Sequence, residues 1–120
     1  MILAIVKDLF FGAKINETAL QANKKVTFIK DNNALESLVS VFKDETKNNI
    51  KVIIIDLNFN EINPLETIKK IKNNEKLKNA KIIGYCSHMQ ADLMKKAKEL
   101  GAKSMPKSLF TKRLVEIISK

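Results

Sequence analysis

The chain has 120 residues, of which 45% are hydrophobic and 29% are charged, with a formal net charge of +9 at pH 7. This length fits one domain over residues 1–120, and no apolar run approaches the roughly 20 residues that a membrane helix needs. One cysteine and one histidine exclude an internal disulfide and a multi-cysteine metal site. No basic residues precede the apolar segment 1–6, so we expect a first strand of a cytoplasmic protein there and not a signal peptide.

The positive charge suggests nucleic-acid binding, because clustered Lys and Arg release counterions from phosphates. The distribution of the basic residues argues against this function. Only one of the 22 basic residues is an arginine, and the lysines are spread along the chain. We therefore interpret most of them as solvated helix faces. The densest cluster would suit an acidic partner protein and contains Lys95, Lys96, Lys98 and Lys103.

The first half of the chain predicts two β-α units and a third strand. Apolar runs at residues 2–6, 26–29 and 52–55 predict the strands. Asp31 or Asn32 is placed to cap the second helix. The apolar positions at helical spacing are Ile15, Ala19, Leu20 and Ala22 in the first helix, and Leu35, Leu38, Val39 and Phe42 in the second.

The second half continues the alternation. Pro64 fits the first turn of a third helix, and residues 82–85 predict a fourth strand. A fourth helix over residues 91–100 has Gly101 as its C-cap. A short run at residues 104–106 predicts the fifth strand. The apolar positions of the remaining helices are Leu65, Ile68 and Ile71 in the third, Leu93, Met94, Ala97 and Leu100 in the fourth, and Leu114, Val115, Ile117 and Ile118 in the fifth.

Five such units favour an α/β fold, namely a doubly wound five-stranded parallel sheet of order 2-1-3-4-5 with five helices. In that order the crevice lies where strands 1 and 3 end side by side. Asp8 follows strand 1 and Asp56 ends strand 3, so we expect their carboxylates to face each other. Two close carboxylates repel unless a proton or a cation lies between them. The expected solution is a divalent ion such as Mg²⁺, or a nearby lysine.

The whole chain resembles the receiver domains of bacterial two-component response regulators, which are CheY-like. In that family the strand-3 aspartate accepts a phosphoryl group from a histidine kinase, which implies that Asp56 is the phospho-acceptor. The resemblance also implies Mg²⁺ ligands at Asp8, Asp56 and the Asn58 carbonyl. The positions that carry the resemblance are Asp8, Asp56, the polar Cys86 and Ser87 after strand 4, and Lys107 after strand 5.

Several positions depart from the family pattern. Lys7 stands where the family usually has a second acid, and Cys86 stands where it has a Ser or Thr that binds the phosphoryl oxygen. A thiol is a weak donor. Lys107 follows Pro106 instead of preceding a proline, and Ser104 lies in the region where the family has an aromatic residue. These departures imply an atypical receiver or pseudo-receiver, in which the fold persists and the phosphorylation switch is altered or lost.

Lys7 has two interpretations. If its ammonium enters the crevice, it pairs with Asp8 or Asp56 and supplies one positive charge where a metal supplies two. If it points to solvent, Asp8, Asp56 and the Asn58 carbonyl still bind Mg²⁺ weakly. We interpret Cys86 as a small core residue and His88 as a loop residue. One of the adjacent Phe10 and Phe11 is expected to be exposed at the rim of the crevice.

The leading functional hypothesis is a stand-alone pseudo-receiver that is not an enzyme and acts by contact with a signalling protein, either a histidine kinase or an output protein. A competent receiver that binds Mg²⁺ and is phosphorylated on Asp56 is the first alternative. A basic nucleic-acid-binding domain is the second. The contact surface predicted for the leading hypothesis, on helix 4, strand 5 and helix 5, includes Lys95, Lys98, Lys103, Met105 and Arg113.

Overall fold

The structure is a computed structural model that describes residues 1–41, 50–87 and 90–119. Its centre is a five-stranded sheet of order β2-β1-β3-β4-β5 in which every neighbouring pair is parallel. The predicted α/β class and strand order are therefore confirmed. The strands are β1 (Ile2–Ile5), β2 (Val26–Phe28), β3 (Val52–Asp56), β4 (Lys81–Cys86) and β5 (Lys103–Pro106).

Six α-helices cover the sheet in the described part of the chain, one more than the five that we predicted. The C-terminal segment contains two short helices separated at Arg113, and the first of them begins directly after β5. A helix of six residues is too short to show a 3.6-residue pattern. The helices are α1 (Leu9–Gln21), α2 (Asn32–Ser40), α3 (Pro64–Lys72), α4 (Ala91–Glu99), α5 (Lys107–Lys112) and α6 (Leu114–Ser119), and a single 3-10 turn spans Asn60–Ile62.

Local sequence signals fix several helix ends. The Asp31 carboxylate caps α2 by accepting a hydrogen bond from the Ala34 N–H at 2.7 Å. Pro64 occupies the first turn of α3, where a missing N–H costs nothing. Gly101 follows α4 with a φ of +100°, a conformation that favours glycine. Phe42, predicted on the apolar face of the second helix, lies outside the described residues.

The two faces of the sheet bury separate apolar clusters. Ile53 and Ile55 point to the side covered by α2, α3 and α4, whereas Ile54 points to the side covered by α1, α5 and α6. All three are 0% exposed, as expected for the central strand of a parallel sheet covered on both faces. Leu20 of α1 is an exception to the prediction, because it is 64% exposed and lies off the buried face of the helix.

The strand register brings the carboxyl ends of β1, β3 and β4 to one edge of the sheet. Ile5 pairs with Ile55, and Asp56 pairs with Tyr85. The residues that follow these strands therefore meet at a single crevice. Within the described ranges, no helix is long and apolar enough to cross a membrane.

Candidate functional site

Asp8 lies at the start of α1 and has two roles. Its Oδ1 atom caps the helix by accepting hydrogen bonds from the N–H groups of Phe10 at 2.9 Å and Phe11 at 3.3 Å. Its Oδ2 atom lies 3.8 Å from the Lys107 ammonium. Side-chain capping of this kind satisfies N–H groups that have no partner within the helix. The carboxylate therefore joins the first turn of α1 to the crevice.

Asp56 is the buried carboxylate of the site, with 9% of its surface exposed. Burial raises the pKa of Asp56 above its ordinary value, because it penalises the charged form. The rise is partly offset by hydrogen bonds from the N–H groups of Asn58 and Lys7, and by the positive charges of Lys107 and Lys7. The Asn58 N–H donates to Asp56 Oδ1 at 2.9 Å.

Asn58 ties the loop after β3 to the loop after β4. Its side-chain oxygen accepts a hydrogen bond from the Ser87 N–H at 2.6 Å, and its side-chain nitrogen donates to Gln90 Oε1 at 2.9 Å. Its main-chain carbonyl accepts a hydrogen bond from the Asn60 N–H at 2.9 Å. Gln90 was not identified from the sequence. Its position just before α4, with a side-chain amide, was the feature that could have suggested a role in the site.

Lys107 is the first residue of α5, and its ammonium reaches the crevice from that position. Besides its approach to Asp8, the ammonium lies 4.5 Å from the centroid of the Phe11 ring. A cation over an aromatic face is attracted by the ring quadrupole. The lysine thus reaches the site although it follows Pro106, the last residue of β5, instead of preceding a proline.

Lys7 lies at the rim of the crevice and pairs with Glu61, Nζ to Oε1 at 3.2 Å. Both side chains are largely exposed, at 59% and 61%. Of the two interpretations of Lys7, the geometry matches the one in which the ammonium points outward. Glu61 was not predicted, because it lies in the 3-10 turn after β3 and its neighbours depend on the loop path.

Cys86 is fully buried, and its thiol donates to the Met105 carbonyl at an Sγ to O distance of 3.9 Å. Side chains alternate along a strand, so Cys86 and Tyr85 point to opposite faces of the sheet. Cys86 packs in the cluster under α2, α3 and α4. The interpretation of this residue as part of the core agrees with its burial.

Tyr85 is a residue next to Asp56 that was not identified from the sequence. Its ring stacks on Phe110, with centroids 4.8 Å apart, and meets Phe11 edge-on at 5.2 Å. Burial raises the pKa of Tyr85 above its ordinary value, and the negative charges of Asp56 and Asp8 raise it further. The hydroxyl oxygen is buried and has no hydrogen-bond partner among the described residues.

The rim of the crevice carries two exposed apolar side chains. Phe10 is 91% exposed and Leu9 is 87% exposed, whereas Phe11 is buried at 7%. The prediction that one phenylalanine of the pair is exposed is confirmed. His88, predicted to be a loop residue, lies outside the described residues.

The oxygen atoms at this edge suit a hard divalent cation. Asp8, Asp56 and the Asn58 carbonyl supply oxygen donors, and Mg²⁺ is commonly held by one or two carboxylates together with several waters. Among the residues that the structure describes, no three Asp, Glu, His or Cys side chains gather into a larger metal-binding group. The donors at this edge are thus two carboxylates and one carbonyl, and they are of the oxygen type that Mg²⁺ takes.

The sequence matches no protein-family model and no curated protein. Solved structures of the same shape do exist. The signal receiver domain of a DNA-binding response regulator from Colwellia psychrerythraea has a TM-score of 0.75 and 17% identity, covering 99% of this chain and 98% of that one. A response regulator receiver domain from Rhodospirillum rubrum has a TM-score of 0.77 and 18% identity, covering 98% and 90% of the two chains.

A third structure is a response regulator from Burkholderia pseudomallei with a phosphorylated aspartic acid, a calcium ion and citrate. Its TM-score is 0.77 and its identity is 14%, and the match covers 98% of this chain and 65% of that one. Similarity at such low identity establishes architecture and leaves function to the chemistry of the site. The chain therefore has the fold of response regulator receiver domains.

Proposed function

We propose that this chain is a receiver-type signalling module that acts through contact with a partner protein and has an impaired phosphorylation switch. Asp56 is its phospho-acceptor position, and the module is not an enzyme. In transfer from a phosphohistidine, an Asp56 oxygen forms the new O–P bond while the N–P bond breaks and its electron pair stays on the imidazole. The burial of Cys86 is the observation that carries the proposal.

Cys86 replaces the hydroxyl that links the phosphoryl group to the rest of a receiver domain. Its thiol is 0% exposed, donates to the Met105 carbonyl and packs in the core. A thiol is also a weak donor compared with a hydroxyl. A phosphoryl group on Asp56 would therefore lack the usual partner at the end of β4. The consequence is that phosphorylation of Asp56 would have little effect on the conformation of α4 and β5.

The crevice nevertheless retains the groups for binding a phosphoryl group. Asp8, Asp56 and the Asn58 carbonyl are proposed to hold Mg²⁺, by analogy with the calcium ion and phosphorylated aspartic acid named for the Burkholderia structure. A bound divalent ion supplies positive charge that offsets the charges of the acceptor and the phosphate. Lys107 adds further positive charge, because its ammonium lies 3.8 Å from Asp8 Oδ2.

A competent phosphorylation switch is the second candidate function, and one observation favours it. The Lys7 ammonium pairs with Glu61 at the rim instead of with Asp8 or Asp56. An exposed pair of this kind is weak, but it holds the ammonium at the rim, from where its charge acts on Asp56 without a direct ion pair. The substitution of an acid by Lys7 therefore does not by itself block the cation position.

A basic cleft supports an acidic partner. A cavity of about 240 Å³ lies on the face of the sheet beneath α6, with Val52, Ile83 and Ile117 in its lining. Glu116 is the acidic residue in this lining. The cavity also includes Lys103, Met105 and Arg113 from the predicted contact surface. We name this surface the basic cleft and define its cations as Lys51, Lys81, Lys103 and Arg113.

The test is an amide NMR spectrum of the labelled protein recorded alone, with Mg²⁺, and with Mg²⁺ plus beryllofluoride as a phosphoryl mimic. An impaired switch gives shifts at Asp8, Asp56 and Asn58 that stop before α4. Shifts that spread through α4 and β5 would instead establish the competent switch. A folded protein without any shift at the crevice would overturn both candidates. Asp56→Asn serves as the control, because it removes the acceptor charge and keeps the side-chain shape.

A further inference from the structure

Tyr85 presents a buried hydroxyl that the fold leaves without a partner. The residue is 2% exposed, and its oxygen has no hydrogen-bond partner in the described part of the chain. Native structures rarely leave a buried polar atom unpaired, because the group loses its hydrogen bonds to water and gains nothing in return. Its neighbours indicate what kind of partner the hydroxyl would serve.

The strand register places Tyr85 directly beside Asp56. The two residues are opposite each other in the parallel pair β3 and β4, so their side chains leave the sheet on the same face. Phe11, which contacts the Tyr85 ring at 5.2 Å, also lies beneath the Lys107 ammonium. The phenol therefore lies next to the crevice that contains Asp56, Asp8 and Lys107, close enough for the charges of Asp56 and Asp8 to act on its hydroxyl.

The ring packs within an aromatic cluster, and its hydroxyl oxygen is buried. Phe110 stacks against it at 4.8 Å and is itself 0% exposed. A phenol hydroxyl carries its proton at neutral pH and can therefore donate a hydrogen bond. The expected partner is thus an acceptor atom that enters the crevice from outside.

We propose that the Tyr85 hydroxyl donates a hydrogen bond to an oxygen of a phosphoryl-type oxyanion bound at Asp56, and so replaces the hydroxyl that Cys86 lacks. This inference rests on the proposed function of the crevice. An oxyanion attached to Asp56 carries oxygen atoms beyond the carboxylate. These atoms are acceptors of a kind that the described residues do not supply to the Tyr85 hydroxyl. Tyr85 acts here as a specificity-determining residue, because the bare Mg²⁺ ion offers no acceptor to a hydroxyl.

The experiment compares the wild-type protein with Tyr85→Phe in titrations with Mg²⁺ and then with beryllofluoride, whose fluorines stand in for phosphoryl oxygens. Tyr85 is the only tyrosine and the chain has no tryptophan, so wild-type fluorescence reports on this one ring. We expect beryllofluoride to change that fluorescence, and Tyr85→Phe to bind beryllofluoride about tenfold more weakly, as for one lost hydrogen bond. Mg²⁺ affinity should not change.

Phe110→Leu is the matched control, because it disturbs the same aromatic cluster and leaves the hydroxyl in place. Amide NMR follows binding in both variants and shows whether each is folded. If Tyr85→Phe binds beryllofluoride as tightly as the wild type, or loses no more affinity than Phe110→Leu, the role of Tyr85 is wrong and the proposed function stands. If the wild type shows no crevice shifts at all, the proposed function falls and this inference falls with it.

Discussion

At the scale of single residues, Asp56 is subject to two opposing influences on its pKa, which burial raises and nearby positive charges lower. The side chain is 9% exposed, and burial is the largest influence on its raised pKa. The N–H of Asn58 and the charge of Lys107 offset only part of that effect. A group with a raised pKa in the folded state holds its proton more tightly there than in the unfolded chain. The ionised form of Asp56 therefore lowers the stability of the fold.

Asp56→Asn is expected to stabilise the protein by about 1 kcal/mol at neutral pH, because it removes the buried charge and keeps the acceptor for the Asn58 N–H. Below the ordinary pKa of 3.8 the carboxyl is protonated in both states, so the two proteins should be equally stable there. The difference should grow as the pH rises from 3.8 to the raised pKa of the folded state, and stay constant above it. Urea unfolding at a series of pH values measures it.

The exposed Asp92→Asn provides the comparison for this pH series. Asp92 lies on the surface in the first turn of α4. Its substitution should give a small difference that does not grow in the same way between acid and neutral pH. An Asp56→Asn protein that is less stable than the wild type at neutral pH would contradict the account of its burial.

At the scale of secondary-structure elements, β4 and the loop after β3 pack without spare room. Gly84 lies in β4 beside Leu57, the residue that follows Asp56. A Cβ atom added at Gly84 would lie 2.9 Å from Leu57 Cδ2 and 3.0 Å from Cδ1. Leu57 is itself 1% exposed, so its side chain has little space to move. The glycine therefore sets the position of the loop after β3, which begins at Leu57 and carries Asn58.

Gly84→Ala is expected to destabilise the protein by about 1–3 kcal/mol through overpacking. Thermal or urea unfolding measures the change. The added methyl should also shift the amide signals of Asn58. Leu57→Ala in the same chain should remove the clash, so that the double variant loses less than the sum of the two single variants.

Gly12→Ala in α1 is the control for this substitution. Its added Cβ would lie 3.3 Å from the Phe28 ring, which is 43% exposed and free to adjust. Alanine also favours a helix by about 1 kcal/mol over glycine. We therefore expect no loss of stability from Gly12→Ala. An equal loss in both glycine variants would show that the Leu57 contact is not the cause.

The elements that could be predicted from sequence were those with long apolar patterns. Four of the strands were predicted from runs of Val and Ile, and their ends differ from the structure by one residue at most. Helix α5 was missed, because residues 107–112 are too few to show a helical period. Asp8 and Asp56 could be placed at one edge because the strand order fixes where strands end, whereas Lys107 was expected only from the resemblance to receiver domains.

Other parts of the site were out of reach of the same reasoning. Glu61 and Gln90 take part through loop conformations, which no periodic pattern encodes. Tyr85 was overlooked because its role depends on the strand register, which pairs it with Asp56. The outward direction of Lys7 depended on a partner, Glu61, more than fifty positions along the chain.

At the scale of the whole molecule, the basic residues behind the net charge of +9 differ in their surroundings. Some lysines lie on exposed helix faces, such as Lys95, Lys96 and Lys98 of α4, and four cations line the basic cleft around an apolar floor. Lys81 and Lys103 leave the sheet on the same face, because their register partners Val52 and Ile83 do so. An acidic segment with an apolar side chain would match both the charge and the surface of this cleft.

Reversing the charge at Lys81 and Lys103, both to Glu, is expected to weaken binding of an acidic probe peptide at least about tenfold, because two attractive charges become repulsive. Amide shifts of Ile83, Met105 and Ile117 locate the binding, and titration at several salt concentrations measures it. The control is the double substitution of Lys24 and Lys25 to Glu, which makes the same change in net charge outside the cleft.

Equal weakening by both double variants would mean that net charge alone attracts the peptide, and that the basic cleft is not a specific surface. A single-stranded oligonucleotide that binds more tightly than the peptide, with a steep dependence on salt, would instead support the nucleic-acid alternative. A flat salt dependence would remove that alternative.

The cap on α1 separates two tasks that usually compete for one side chain. Asp8 Oδ1 holds the N–H groups of Phe10 and Phe11, and Oδ2 faces Lys107. Oδ1 therefore serves the helix and Oδ2 serves the crevice. A cation, a proton or water can exchange at Oδ2 while Oδ1 keeps its hydrogen bonds to the first turn of α1. The substitution Asp8→Asn would keep a good helix cap and abolish the anionic ligand. Replacing one oxygen by nitrogen would then remove the charge that the crevice uses and leave the start of α1 capped.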